Sequence, residues 1–125
     1  MIKTTLILTF LIIGLQSCYY DNEEELYPNV ETGCKTENVT FSGTITDILA
    51  SRCYGCHSNI NANSYGEGIK LEDYQDVKNA ADGGRLLGSI KRESGFTAMP
   101  LNTGKLDDCK ISQFEAWINA GTPNN

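Results

Sequence analysis

Apolar residues recur at the three- and four-residue spacing of an α-helix in two segments of the chain. The first stripe consists of Ile45, Ile48 and Leu49. The second stripe consists of Ile111, Phe114, Trp117 and Ile118. On an isolated helix each stripe would expose its apolar surface to water, so we expect the two helices to pack against each other.

Capping residues and glycines set the limits of the predicted elements. The first helix is expected to begin at a cap on Ser42 or Thr44 and to run into residues 53–57. The closing helix is expected to begin with the negative charge of Asp107 and Asp108. Between them the sequence predicts a polar loop over residues 58–68 and two helices, over residues 72–81 and 85–92. An irregular stretch is expected over residues 93–105. No segment alternates as a β-strand does, so the fold is expected to be all-α.

The chain begins with the features of an export signal. Lys3 precedes an apolar run over residues 6–13, which is too short to span a bilayer, so residues 1–17 are predicted to be a signal peptide. The run ends at Leu15-Gln16-Ser17-Cys18, which resembles the processing site of bacterial lipoproteins. This resemblance implies export, with a lipid on Cys18 that holds the protein at the periplasmic side or surface of the outer membrane. An ordinary secretory signal and an uncleaved anchor are the alternatives.

Residues 18–33 are predicted to be a flexible tether. They contain five acidic residues and no basic residue, and too few apolar residues to offset the entropy cost of folding. The whole chain has a formal net charge of −6, whereas residues 34–125 carry 9 basic and 11 acidic residues, a net charge of −2. The acidity therefore belongs mainly to the tether, and we expect no nucleic-acid partner.

The most informative motif is Cys53-Tyr54-Gly55-Cys56-His57, which contains the only histidine of the chain. C-x-x-C-H is the signature of covalent haem c attachment. Positions i, i+3 and i+4 share one side of a helical turn, so both thiols can bond the haem while the imidazole of His57 ligates the iron. The motif therefore predicts one covalently bound haem c.

A reactive dithiol and a zinc site are two other possible uses of this motif. A thioredoxin-like dithiol follows a buried strand, whereas the segment before Cys53 has helical spacing. A zinc site would use Cys53, Cys56 and His57, with Cys34 or Cys109 as the fourth ligand. Zinc sites usually bring a second closely spaced ligand pair, which these two cysteines do not form, so haem is favoured.

The remaining cysteines and the methionines have expected roles of their own. Cys34 and Cys109 are left as a pair in an oxidising compartment, where a disulfide is expected and two buried free thiols are the alternative. Met99 is the only methionine after the signal peptide, and it lies before Pro100 in the irregular stretch. With His57 assigned, Met99 is predicted to be the second axial ligand of the iron, and an open or water-bound site is the alternative.

With these residues assembled, the chain resembles the monohaem cytochromes c of the class I type, in which a methionine loop and an aromatic-bearing helix follow the attachment motif. It resembles more closely the exported cytochrome c domains of the planctomycete and Bacteroidetes type, over residues 41–123. The segments that carry this similarity are Gly68-Ile69-Lys70-Leu71 with Tyr74, Met99-Pro100, and Trp117-Ile118-Asn119-Ala120-Gly121. The resemblance implies that residues 34–125 form a small cytochrome c fold of about four helices around one haem.

The expected function is electron transfer between unidentified redox proteins, with no catalysis by this chain except as a subunit of a larger redox enzyme. A haem-based sensor or a catalytic subunit with an open distal site is the alternative. The chain departs from the class I pattern in two ways. Leu49 stands where many members have an aromatic residue, and no proline between His57 and Met99 supplies a carbonyl to orient the imidazole. The sequence therefore assigns no hydrogen-bond partner to His57.

Overall fold

Helices alone make up the regular secondary structure of residues 33–125, the part of the chain that the computed structural model describes. The predicted signal peptide, Cys18 and the tether up to residue 32 lie outside this part. A π-helical turn is followed by six α-helices: the turn Phe41–Ile45, α1 Thr46–Arg52, α2 Tyr54–His57, α3 Ala62–Tyr65, α4 Tyr74–Asp82, α5 Arg85–Lys91 and α6 Asp108–Asn119. The all-α prediction is confirmed for these residues, with more and shorter helices than expected.

The first helical segment begins earlier than predicted, and its cap is Thr40 rather than Ser42 or Thr44. The side-chain oxygen of Thr40 accepts a hydrogen bond from the Gly43 amide at 3.3 Å. The Thr40 carbonyl accepts from the Ile45 amide at 3.1 Å, which makes the first turn a wide π-turn. This earlier start carries Phe41 into the core, where 8% of it is exposed. The stabilisation gained by burying Phe41 therefore exceeds the stabilisation that a cap at Ser42 or Thr44, nearer to the apolar stripe, would give.

After the Cys-x-x-Cys-His motif, the structure differs from the prediction in two more places: the start of one helix and the presence of another. Helix α4 starts later than residue 72, after Asp73 in extended geometry, and the side chains of Glu72 and Asp73 accept hydrogen bonds from Asn59 at 2.7 and 3.1 Å. The loop predicted over residues 58–68 contains helix α3, whose first residue, Ala62, is fully buried. One buried alanine in a polar segment is too weak a periodic signal to predict a helix.

The core joins the two predicted apolar stripes. Its largest fully buried side chains are Trp117, Phe114, Ile45 and Leu49. Phe41 contacts both Tyr74 and Trp117, with ring centroids 5.1 and 5.7 Å apart. Ile118 is only partly buried and packs at the edge of the cluster. Within residues 33–125, no helix is long and apolar enough to cross a membrane.

Cys34 and Cys109 lie at disulfide distance, as the sequence predicts. Their sulfur atoms are 2.14 Å apart and their Cα atoms 5.3 Å apart. Cys109 belongs to the first turn of α6, which is capped by the Asp107 side chain through the Lys110 amide at 2.9 Å. The pair ties the segment before the first helix to the start of the last one.

Candidate cofactor site

A cavity of about 720 Å³ lies between the Cys-x-x-Cys-His turn, helix α5 and the loop that carries Met99. This volume falls within the roughly 300–1,000 Å³ that is typical of small-molecule and cofactor sites. Its lining includes all four residues that the sequence assigns to a haem: Cys53, Cys56, His57 and Met99. The fold therefore brings Met99 to the same cavity as the motif, although the two are far apart in sequence.

A single helical turn positions the motif. Helix α1 ends at Arg52, and the backbone leaves helical geometry at Cys53, with φ −124° and ψ −35°. The Cys53 carbonyl then accepts hydrogen bonds from the amides of Cys56 and His57, at 3.1 and 2.8 Å. Cys53 is half-buried, Cys56 is exposed and His57 is buried. The two thiols and the imidazole thus reach the cavity from one short, rigid turn.

The ring of His57 is oriented by the returning chain. Its Nδ1 lies 2.9 Å from the Ile69 carbonyl oxygen, which can only accept a hydrogen bond, so Nδ1 carries the proton. The Leu71 amide donates to the His57 carbonyl at 2.8 Å, which holds the backbone of the same residue. In a neutral ring with Nδ1 protonated, Nε2 keeps its lone pair for a metal. Ile69 therefore supplies the orienting carbonyl for which the sequence offered no proline.

Gly66 allows the chain to pass close to His57. A Cβ atom at this position would lie 2.6 Å from the Cys56 carbonyl oxygen and 2.8 Å from Nδ1 of His57. Neither atom can move freely, because one belongs to the backbone and the other is held by Ile69. The sequence showed only one glycine among several in a polar loop, so it gave no sign of this role.

Replacing Gly66 by alanine is expected to destabilise the domain and disturb the imidazole. The added methyl group must displace the Cys56 backbone or the His57 ring, and such overpacking costs about 1–3 kcal/mol. Chemical denaturation of the holoprotein and its visible spectrum measure the two effects. Gly104→Ala is the matched control, since a Cβ atom there meets nothing within 4 Å. Equal stability and equal spectra for the two variants would contradict the prediction.

Helix α5 holds the loop that carries Met99. The Met99 amide donates to the Ser89 carbonyl at 3.0 Å, and the Arg92 guanidinium donates to the Thr103 carbonyl at 2.6 Å. The ring of Phe96 packs on Gly88, where a Cβ atom would lie 2.5 Å from the ring. This contact explains a glycine inside a helix, which otherwise costs stability. Met99 is thereby held at the cavity wall, half-buried.

The surroundings of the thiols bear on the dithiol interpretation. Burial raises the pKa of the Cys53 thiol to about 11. A reactive dithiol needs a lowered thiol pKa, so this environment does not favour thioredoxin-like chemistry.

The donor set bears on the zinc interpretation. Cys34 and Cys109 lie at disulfide distance from each other, so neither is free to complete a zinc site with the motif. Among residues 33–125, no three His, Cys, Asp or Glu side chains form a group suited to a metal ion. A haem iron needs fewer protein ligands than a zinc ion does, because the porphyrin supplies four ligands and the chain supplies only the two axial ones.

Comparisons of this chain with known protein families, with curated proteins and with solved structures find no match.

Proposed function

We propose that residues 34–125 form a class I-like monohaem cytochrome c domain that carries electrons and catalyses no reaction of its own. The observation that carries this proposal is the convergence of Cys53, Cys56, His57 and Met99 on one cavity of about 720 Å³. Two thiols, an imidazole with a free Nε2 and a thioether are the donor set that a covalently bound, six-coordinate haem requires.

Each of these residues has a distinct role in the proposal. The sulfur atoms of Cys53 and Cys56 would hold the haem covalently through thioether bonds, and Nε2 of His57 and the sulfur of Met99 would ligate its iron. The bound haem would supply the redox chemistry, the exchange of one electron at its iron. The Ile69 carbonyl holds the His57 ring and keeps its proton on Nδ1. The backbone contact with Ser89 holds Met99 at the cavity wall, where its thioether would exclude other ligands from the iron.

The N-terminal sequence supports a proposal for the location of the protein. We infer export, lipidation of Cys18 and attachment to the outer membrane, with residues 18–33 as the tether. A cytochrome held in this way would exchange electrons with redox proteins of the same compartment.

Covalent attachment is the first test of the proposal. In holoprotein matured in an exporting host, the haem should stay with the polypeptide through denaturation and acid–acetone extraction. The Cys53→Ala/Cys56→Ala double variant should lose it, because both thioether bonds are gone. The Cys34→Ser/Cys109→Ser double variant is the control for loss of two cysteines, and it should keep the haem. Haem that extracts freely from the wild-type protein, or stoichiometric zinc in its place, would refute the proposal.

A further inference from the structure

One buried polar side chain of the domain makes no hydrogen bond. Within residues 33–125, the buried polar side chains are those of His57, Ser89 and Thr122. The His57 ring is held by the Ile69 carbonyl, and the Thr122 hydroxyl accepts from Lys78 at 2.9 Å. Ser89 is only 9% exposed, yet its hydroxyl has no hydrogen-bond partner among the described residues. Ser89 is therefore the exception among these three residues.

The Ser89 hydroxyl faces the cavity. In the described part of the chain, every buried side-chain nitrogen or oxygen that is fully enclosed has a hydrogen-bond partner, so the unpaired Ser89 hydroxyl must keep some accessible surface. Ser89 belongs to the cavity wall, together with Leu86 and Ile90 of the same helix, which are also buried. The other hydroxyl groups of the wall are exposed to water, and they belong to Ser51, Tyr65, Thr97 and Thr103.

An unpaired hydroxyl at this position costs stability. A buried polar group without a partner loses its hydrogen bonds to water and gains none in return. Serine is also a weaker helix former than alanine, and Ser89 lies within α5. Alanine would avoid both costs. The arrangement therefore points to an acceptor that becomes available when the cavity is filled.

The thioether of Met99 is the acceptor that the backbone places beside Ser89. The Met99 amide donates to the Ser89 carbonyl at 3.0 Å, and both residues line the cavity. A thioether sulfur is a weak acceptor with two lone pairs, so one lone pair remains when the other binds a metal. Met99 is half-buried, and a bound haem would shield its sulfur further from water. A hydroxyl of the wall is then the natural donor to that lone pair.

We propose that the Ser89 hydroxyl donates a hydrogen bond to the Met99 sulfur when that sulfur ligates the haem iron. The inference rests on the proposed function, because it takes Met99 to be an axial ligand. The hydrogen bond would fix the direction of the thioether and withdraw electron density from its sulfur. Fe(III) draws more density from the sulfur than Fe(II) does, so the sulfur is the better acceptor in the reduced protein. Ser89 is thus a positioning residue that raises the reduction potential.

The test compares the holoprotein with its Ser89→Ala and Ser89→Thr variants, in the far-red sulfur-to-iron band and in the reduction potential. Ser89→Ala removes the hydroxyl and leaves the backbone carbonyl that holds Met99. Ser89→Thr keeps a hydroxyl. Ser51→Ala is the matched control, because Ser51 lines the same cavity but its hydroxyl already donates to the Ile48 carbonyl at 3.0 Å.

In Ser89→Ala the far-red band should remain but move to longer wavelength, because the sulfur lone pairs are held less tightly without the hydrogen bond. The potential should fall. At a fixed applied potential, the ratio of Fe(II) to Fe(III) protein should drop by up to about tenfold, the range expected for one hydrogen bond. Ser89→Thr should stay close to the wild-type protein in both properties, and Ser51→Ala should change neither.

Two kinds of failure are distinguishable. If the far-red band of Ser89→Ala stays at its wild-type wavelength, the hydroxyl does not bond the sulfur and the Ser89 inference is overturned, whether or not the potential changes. A hydroxyl that holds only a water molecule would give this result. If the wild-type protein carries no covalent haem, or shows no far-red band at all, the proposed function fails in its attachment or in its ligation by Met99, and the Ser89 inference fails with it.

Discussion

Loss of the bridge between Cys34 and Cys109 is expected to lower the free energy of unfolding by about 4 kcal/mol. The two residues are 75 positions apart in sequence, so the crosslink closes a long loop. In the chain-entropy model, such a loop restricts the unfolded chain strongly and therefore favours the folded state. Denaturant unfolding of the Cys34→Ser/Cys109→Ser double variant against the wild-type protein measures the difference. Both haem cysteines are intact in this variant, so its visible spectrum should be unchanged.

A reducing agent provides the matched control for this prediction. With the haem of both proteins held in the Fe(II) state throughout, it should destabilise the wild-type protein toward the level of the double variant and leave the double variant itself unaffected. Gln113 donates to the Lys35 carbonyl at 3.0 Å, so a second contact holds the same N-terminal segment on α6. If that contact suffices, the double variant would unfold at the same denaturant concentration as the wild-type protein, and the prediction would be wrong.

The sequence was most informative where the structure depends on short-range spacing. The stripe at Ile45, Ile48 and Leu49 and the stripe that contains Phe114 and Trp117 predicted the two main core helices, because burial of one face leaves a periodic pattern. The first boundary was wrong because Ser42 and Thr44 are good caps locally. Burial of Phe41, which accompanies the cap at Thr40, depends on contact with Trp117, which is far away in the sequence.

The residues of the candidate site also fall into two groups: those that the sequence identified and those that it did not. Cys53, Cys56 and His57 could be identified from their spacing, and Met99 because it is the only methionine after the signal peptide and no second histidine competes with it. The residues that hold these groups could not. A backbone carbonyl such as that of Ile69 has no signature in the sequence, and any residue could supply it.

The supporting glycines were missed for a related reason. Gly66 and Gly88 matter because His57 and Phe96 approach them, and those approaches exist only in the folded chain. Read alone, Gly66 is one more glycine of a polar loop, and Gly88 is a weak point in a short helix. Their roles become visible only when the neighbours that would collide with a Cβ atom are known.

Replacing Met99 by alanine is expected to have the largest effect on function. If its thioether fills the sixth position, the ferric wild-type protein should show the weak far-red sulfur-to-iron band, and the ferrous protein should resist carbon monoxide. Met99→Ala should lose the band and bind carbon monoxide readily. The potential should fall on the order of tens to hundreds of millivolts, within the roughly 0.8 V span that axial ligands control, because a soft thioether favours Fe(II).

Leu101→Ala is the matched control for the Met99 substitution, since Leu101 lies in the same loop, lines the same cavity and is 59% exposed. It should keep the far-red band and the resistance to carbon monoxide, and it should change the potential much less than Met99→Ala does. The backbone amide of residue 99 can donate to the Ser89 carbonyl with any side chain at this position. The loop should therefore stay in place in Met99→Ala. A wild-type protein that binds carbon monoxide readily at neutral pH would contradict the prediction. The sixth position would then be accessible, and a sensor or catalytic role would replace simple electron transfer.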